Sequence, residues 1–196
     1  MHLLFVSSLV PVANPSSGFG IANRAVLDGL VALGHRVSVV GYIEPGQTPA
    51  LEGQTHLLGE VELTNARAGA VTKLGWLLTA LMKRTSLSSA KMLKVSAERI
   101  ETLLAELQPF DGIVLNSVQL PAAFAGVFQK YPTIYVAHNV EADAALANAE
   151  RAGGRIERTL FFREARYLEQ YERQLTQAAS HIWTFAESDR FGFGYL

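Results

Sequence analysis

The sequence lacks cysteine, net charge and any long apolar run. None of its 196 residues is cysteine, which excludes disulfides, a thiolate nucleophile and a cysteine-containing zinc site. Its 17 lysine and arginine residues nearly balance its 18 aspartate and glutamate residues, leaving a formal net charge of -1. This balance argues against a whole-surface basic footprint for nucleic acid. No apolar stretch reaches about 18 residues, which a membrane-spanning helix needs.

Metal ligands and export signals are also scarce. The five histidines are scattered with no pair at the spacing of metal ligands on a helix, so we expect no metal. The sequence contains no Asp-x-Asp pair, no P-loop and no G-x-S-x-G elbow. An apolar run opens the chain, but the first basic residue is Arg24. Because a secretory signal begins with basic residues, we predict a cytoplasmic protein.

Short apolar runs alternate with helical patterns along the chain. Continuous apolar runs, typical of strands covered on both faces, predict strands at 3–7, 37–42, 112–115, 133–137 and 181–185. Apolar residues at three- and four-residue spacings predict helices at 21–33, 70–82, 88–107, 121–129 and 155–177. Residues 44–66 are interpreted as a loop with one or two short strands. The alternation predicts an α/β fold, a Rossmann-like, doubly wound and mainly parallel sheet with helices on both faces.

A loop rich in proline, serine and glycine follows the first predicted strand, with the sequence Pro15-Ser16-Ser17-Gly18-Phe19-Gly20. Its glycines permit close approach of a ligand to the backbone, and the N-terminus of the next helix suits an anion. The loop lacks the G-x-G-x-x-G spacing of dinucleotide-binding proteins. The alternative is a flexible strand-to-helix turn that binds nothing.

Polar residues also follow three later strands, at the sheet edge where open α/β proteins bind ligands. These segments are Asn116-Ser117, His138-Asn139-Val140-Glu141 and Glu187-Ser188-Asp189. A histidine in this position can exchange hydrogen bonds with a ligand and titrate near neutral pH. It can equally cap a helix or lie with its hydrogen bonds satisfied in the core. Ser188 and Asp189 are also candidates for a helix N-cap.

Together these motifs resemble the N-terminal domain of retaining glycosyltransferases of the GT-B fold, family 4 in particular. The resemblance covers residues 1–42, with the glycine-rich loop, and residues 131–190. The second segment carries His138-Asn139, the helical sequence FREARYLEQYERQL and the closing Glu187-Ser188-Asp189. The pattern departs at Ala186, where a serine is usual, so any hydrogen bond from that hydroxyl is lost or supplied differently.

The resemblance implies a two-domain enzyme that transfers a sugar, with retention of configuration, from a UDP- or GDP-sugar to a glycan or lipid-linked acceptor. It implies no metal and no tightly bound cofactor. Residues 1–190 would be the acceptor-side domain and 191–196 a tail or the start of an interdomain linker. A C-terminal domain, which holds most of the donor, would be supplied in cis or as a separate chain. We therefore expect the chain alone to be inactive.

The resemblance also implies roles for individual residues. His138 would hydrogen-bond the transferred sugar at the cleft, as the one catalytic candidate. Gly18 and Gly20 would bring backbone amides to the donor diphosphate, and Arg24 would contact phosphate or acceptor. The candidate acceptor contacts are Asn116, Ser117, Asn139 and Glu141.

Two other functions are consistent with these residues. The first is a non-catalytic Rossmann-like module that binds a nucleotide, a glycan or a partner, or serves as a subunit of a split glycosyltransferase, because fold alone does not fix function. The second is a complete small dinucleotide-dependent enzyme, which the poor glycine fingerprint disfavours.

Residues 67–99 form a basic segment, with seven lysine or arginine residues and one acid, Glu98. Combined with Trp76 and nearby leucines, it is typical of a helix lying on an anionic membrane surface. The candidate membrane-surface residues are Lys73, Trp76, Lys83, Arg84, Lys91 and Lys94. This hypothesis places the protein peripherally on the inner face of the cytoplasmic membrane. The alternative is an ordinary surface helix with its apolar side in the core.

Overall fold

The computed structural model describes residues 1–63, 68–187, 189 and 193. Its six strands are β1 (His2–Leu9), β2 (Arg36–Ile43), β3 (Thr55–Glu60), β4 (Gly112–Asn116), β5 (Thr133–Ala137) and β6 (His181–Thr184). They form one sheet in the order β3-β2-β1-β4-β5-β6, and every neighbouring pair is parallel. The predicted Rossmann-like, doubly wound α/β fold is confirmed.

One short 3-10 helix covers Glu52–Gln54, and the α-helices whose two ends both lie in the described ranges number eight. They are α1 (Gly18–Ala32), α2 (Ala70–Met82), α3 (Leu87–Ala90), α4 (Ala97–Glu106), α5 (Gln119–Ala123), α6 (Ala125–Phe128), α7 (Glu141–Arg151) and α8 (Arg155–Ala178). The predicted helix at 70–82 and strand at 133–137 are confirmed at both ends. The predicted helix at 88–107 is instead two helices, α3 and α4, because the Ser96 side chain accepts a hydrogen bond from the Arg99 amide and starts a new helix. In place of the single helix predicted at 121–129, the structure has two short helices, α5 and α6, separated at Phe124.

The sheet is covered on both faces, which explains the continuously apolar strands. Successive side chains of a strand point to opposite faces. Leu3 and Phe5 of β1 therefore pack in one cluster, which includes Leu27 of α1. Leu4 of β1 packs in the other cluster, which includes Ile100 of α4 and residues of α8.

The strand order reverses between β1 and β4. From β1 the chain moves outward through β2 to β3, then returns to β4 on the other side of β1. Ligands in such folds bind in the crevice outside the carboxyl ends of the strands at this reversal. The segments after β1, β4 and β5 therefore meet there.

Some expectations concern residues beyond the described ranges. These are Arg67 in the basic segment, Ser188 as an N-cap, and the tail at 191–196 apart from Phe193. In the described part of the chain, no helix combines the length and apolar character needed to cross a bilayer.

Candidate functional site

A buried chain of hydrogen bonds joins the carboxyl ends of β1, β4 and β5. The Asn23 side-chain amide donates to the Leu9 carbonyl at 2.7 Å, and the Asn116 amide donates to Oδ1 of Asn23 at 2.7 Å. Nε2 of His138 lies 3.1 Å from Oδ1 of Asn116. Asn23 and Asn116 are 1% and 0% exposed. Two of the residues that sequence reasoning placed at this edge, Asn116 and His138, are thus in contact.

The donor and acceptor roles along this series of hydrogen bonds determine which ring nitrogen of His138 carries the proton. The Leu9 carbonyl can only accept, so Asn23 must present its nitrogen to Leu9 and its oxygen to Asn116. Asn116 then presents its oxygen to His138, and Nε2 of His138 must donate. In the neutral imidazole, Nδ1 is consequently an acceptor for a ligand hydroxyl or amide.

His138 is neutral at pH 7, because burial lowers its pKa to about 4. Its ring lies between two apolar rings, with centroid distances of 4.8 Å to Phe19 and 4.9 Å to Phe185. A group with so low a pKa is a poor proton-transfer catalyst near neutral pH. The neutral imidazole is suited to a hydrogen bond with a polar group of a ligand.

Replacing Asn116 with leucine is expected to release the fixed tautomer of His138, because Nε2 loses its acceptor. Nitrogen-15 NMR should show the proton on Nε2 in the parent protein and a mixture of both tautomers in the variant. His181, exposed at the amino end of β6, provides an internal control whose signals should not change. A parent spectrum with the proton on Nδ1 would contradict this geometry.

Ser8 and Ser117 form a second polar contact between β1 and β4. The Ser8 hydroxyl donates to Oε1 of Gln119 at 3.1 Å and lies 3.0 Å from the Ser117 hydroxyl, which must therefore donate to Ser8. Ser117 has a φ of 84°, a region that non-glycine residues seldom occupy and that often marks functional sites. Because Ser117 is 3% exposed and its hydroxyl donates to Ser8, this side chain is engaged inside the protein.

The glycine-rich loop ends in the N-terminus of α1. Ser17 caps this helix by accepting a hydrogen bond from the Gly20 amide at 3.0 Å, so that amide is already engaged. The Gly18 and Phe19 amides precede the first hydrogen bond within the helix, which Ile21 makes. Amides in this position have no acceptor within their own helix, and such donors suit an anion. The first turn carries no acidic residue, which suits an anion.

Arg24 does not extend this anion-binding position. It lies on the second turn of α1, because the helix begins at Gly18, three residues before the predicted start. Its Nε donates to both carboxylate oxygens of Asp28, at 2.8 and 2.9 Å. Its Nη1 donates to the carbonyls of Val12 and Ala13. Arg24 therefore fastens the loop after β1 to the helix.

A shallow open pocket lies beside this loop. Ser17, Phe19 and Asn23 line one side, and Glu44 and Gln47 from the segment after β2 line the other. Two of these residues also belong to the surroundings of His138: Asn23 bonds to Asn116, and the Phe19 ring packs against the His138 ring. The pocket and the His138 network therefore share these two side chains.

Asn139 and Glu141 follow β5 directly. Asn139 is exposed, and Glu141 is half-buried at the start of α7. Burial, with the nearby Glu164 carboxylate, raises the pKa of Glu141. The backbone amides of Glu141 and Ala142 donate to the fully buried Glu172 carboxylate, at 2.7 and 3.2 Å. Glu172 of α8 thus caps α7 from a distant part of the chain.

The candidate membrane-surface residues divide into an inner and an outer group. Trp76 and Lys91 are each 9% exposed and pack together, with Nζ of Lys91 4.6 Å from the Trp76 ring centre. Nζ of Lys94 donates to the Glu60 carbonyl at 3.2 Å. The expectation that Trp76 and Lys91 face outward is wrong, because Trp76 lies on the side of α2 that packs against the protein and Lys91, just after α3, is buried beside it. Lys73, Lys83 and Arg84 are exposed.

Sequence reasoning missed Asn23, Phe19 and Ser8. The signal for Asn23 was present: it lies one helical turn before Leu27, on the buried stripe of α1. A polar residue on an apolar stripe needs a buried partner, and here the partner is Asn116.

No family model matches the chain, and a search of the curated proteins finds no match. Within the described ranges, no group of three or more histidine, aspartate or glutamate side chains could hold a metal ion. A functional assignment therefore depends on the site geometry and the sequence resemblance.

Proposed function

We propose that this chain is the acceptor-side domain of a retaining glycosyltransferase that transfers a sugar from a UDP- or GDP-sugar to a glycan or lipid-linked acceptor. The observation that carries the proposal is the buried amide chain from Leu9 to His138, which presents a neutral imidazole at the reversal of the sheet. Sugars present many hydroxyl groups, and the Nδ1 acceptor of His138 suits a hydroxyl donor.

The N-terminus of α1 supports the same proposal. Its Gly18 and Phe19 amides lie on the helix turn that also brings the Phe19 ring against His138. A diphosphate bound there would place its sugar near His138, and the helix dipole would stabilise the negative charge that develops on the leaving phosphate. A C-terminal domain, in cis or as a separate chain, supplies the remaining donor contacts.

The test is a sugar-transfer assay with labelled UDP- and GDP-sugars, run on the longest natural polypeptide that carries residues 1–196. His138→Ala is expected to lower the transfer rate by about 10- to 100-fold, the effect of losing one hydrogen bond that tightens in the transition state. His181→Ala, at the opposite end of the sheet, should leave the rate unchanged. Unchanged kinetics in His138→Ala would show that His138 does not bind the transferred sugar in the transition state.

A non-catalytic binding module is the second candidate, and the environment of His138 favours it. Its hydrogen-bond partner is an amide and its neighbouring rings belong to phenylalanines, so no acid or base among the described residues pairs with it. For this function, the polypeptide would bind a nucleotide sugar or glycan with an affinity that His138→Ala weakens, yet transfer no sugar with any donor.

A further inference from the structure

Helix α2 turns its most apolar side away from the protein. Trp76 and Ala80 face the interior. At 3.6 residues per turn, five large apolar side chains fall within an arc of about 100° on the opposite side. They are Val71, Leu74, Leu78, Leu81 and Met82, and they are between 50% and 86% exposed. A surface helix of a globular protein normally points such a stripe at the core.

Helix α8 extends this surface. Leu160 of α8 lines an open groove together with Leu74 and Leu77 of α2. Ile156, one turn before Leu160, is 81% exposed. We call the surface made by seven residues the apolar face. These residues are Val71, Leu74, Leu78, Leu81, Met82, Ile156 and Leu160.

The charge around the apolar face is positive. The sequence has no aspartate or glutamate between residues 68 and 97. Exposed bases stand on α2 at Lys73, directly after it at Lys83 and Arg84, and at the start of α8 at Arg155. Two acids line the groove beside Leu160: Glu157, which is exposed, and Glu164, whose carboxylate accepts hydrogen bonds from the Leu87 and Ser88 amides. Four exposed cations therefore lie beside the exposed aliphatic side chains, against one exposed acid.

We propose that the apolar face docks on an anionic lipid bilayer, with α2 lying in the plane of the surface. Interfacial helices place apolar side chains at the headgroup and acyl boundary while lysine and arginine meet anionic headgroups. A second copy of the chain is a poorer match, because two copies of this face would bring the same cations together, and like charges repel across an interface. The inference is independent of the proposed sugar transfer.

This surface differs from the one expected from sequence. Trp76 and Lys91 hold α2 to the protein through their mutual contact, and Lys94 binds the Glu60 carbonyl. The lipid contacts fall instead to the aliphatic residues of the apolar face and to the exposed bases beside it.

The test is co-sedimentation of the 196-residue chain with two kinds of vesicle, phosphatidylcholine alone and phosphatidylcholine mixed with phosphatidylglycerol. Affinity is expected to be at least about 10-fold higher for the mixed vesicles and to fall as salt is added. Equal, weak pelleting with both vesicles would overturn the proposal.

Two double variants separate the contribution of the apolar side chains to vesicle binding from that of the basic side chains. Val71→Ser with Met82→Ser should lower affinity for mixed vesicles by about 10-fold or more, because less apolar area is buried. Lys83→Gln with Arg155→Gln should lower it by about 10-fold. All four side chains are exposed, so circular dichroism should be unchanged.

The matched control is Leu33→Ser, which removes an apolar side chain that is 75% exposed at the end of α1. It should bind mixed vesicles like the parent chain, and a loss equal to that of the serine double variant would overturn the proposal. So would concentration-dependent dimers that the serine double variant abolishes, because the apolar face would then belong to a second copy.

Discussion

Gly41→Ala is expected to lower the free energy of unfolding by about 3 kcal/mol, because the added methyl group has no space. Gly41 of β2 pairs with Ser7 of β1, and both strands lie in the interior of the sheet. A Cβ atom on Gly41 would lie 2.1 Å from the Ser7 carbonyl oxygen and 3.2 Å from Cγ1 of Val10. The first neighbour is backbone inside a close-packed sheet, so it cannot move aside without breaking strand hydrogen bonds.

Urea denaturation followed by circular dichroism measures this loss. Gly29→Ala is the control: Gly29 lies inside α1, and a Cβ there meets nothing within 4 Å. Alanine is favoured over glycine in a helix by about 0.5–1 kcal/mol, so this variant should be slightly more stable than the parent. If both variants shifted stability equally, the collision at Gly41 would not be the cause.

The steric clash at Gly41 is also expected to affect the hydrogen bonds of His138. Leu9, whose carbonyl accepts from Asn23, lies just beyond Ser7 in β1, where the pairing with β2 shifts register. Displacing Ser7 therefore shifts the Leu9 carbonyl, which accepts the first hydrogen bond of the series that runs through Asn23 and Asn116 to His138. In any Gly41→Ala protein that still folds, the His138 NMR signals should move, whereas those of the distant His181 should not.

Much of the fold could be predicted because strands buried on both faces have an unmistakable pattern. The strand at 133–137 and the helix at 70–82 follow directly from local apolar spacing. Helix α7 could not be predicted in this way. Its buried residues are alanines, which give a weak apolar stripe, and its N-terminal amides are satisfied by Glu172, thirty residues later.

The site was predictable to the extent that it depends on strand ends. Parallel strands bring their carboxyl ends to one edge, so the meeting of Asn116 with His138 follows from topology. The roles within the site depend on tertiary contacts. Gly20 was expected to contact phosphate and Arg24 to contact phosphate or acceptor, yet the Gly20 amide bonds to Ser17 and the Arg24 side chain to Asp28. Likewise, spacing alone could not show which side of α2 faces the protein.

Glu172 is expected to make stability depend on pH in an unusual direction. Burial raises its pKa from 4.5 to about 7, against two backbone amide hydrogen bonds that favour the charged form. Glu141 and Asp143 add repulsion. Between pH 4.5 and about pH 7, the folded protein keeps the proton on Glu172, whereas the unfolded chain has released it. Because the folded state then binds more protons, the free energy of unfolding falls as pH rises through this window and levels off above it.

The contribution of Glu172 is isolated by comparing the parent with Glu172→Gln at a series of pH values. A pKa shift of one unit corresponds to about 1.4 kcal/mol, so the parent should lose about 3 kcal/mol relative to the variant between pH 4.5 and 7.5. Glu169→Gln, an exposed position on the same helix, should keep the parent's pH profile. If the parent instead gained stability over this range relative to Glu172→Gln, the two amides that cap α7 would outweigh burial, and the carboxylate would be the stable form in the folded protein.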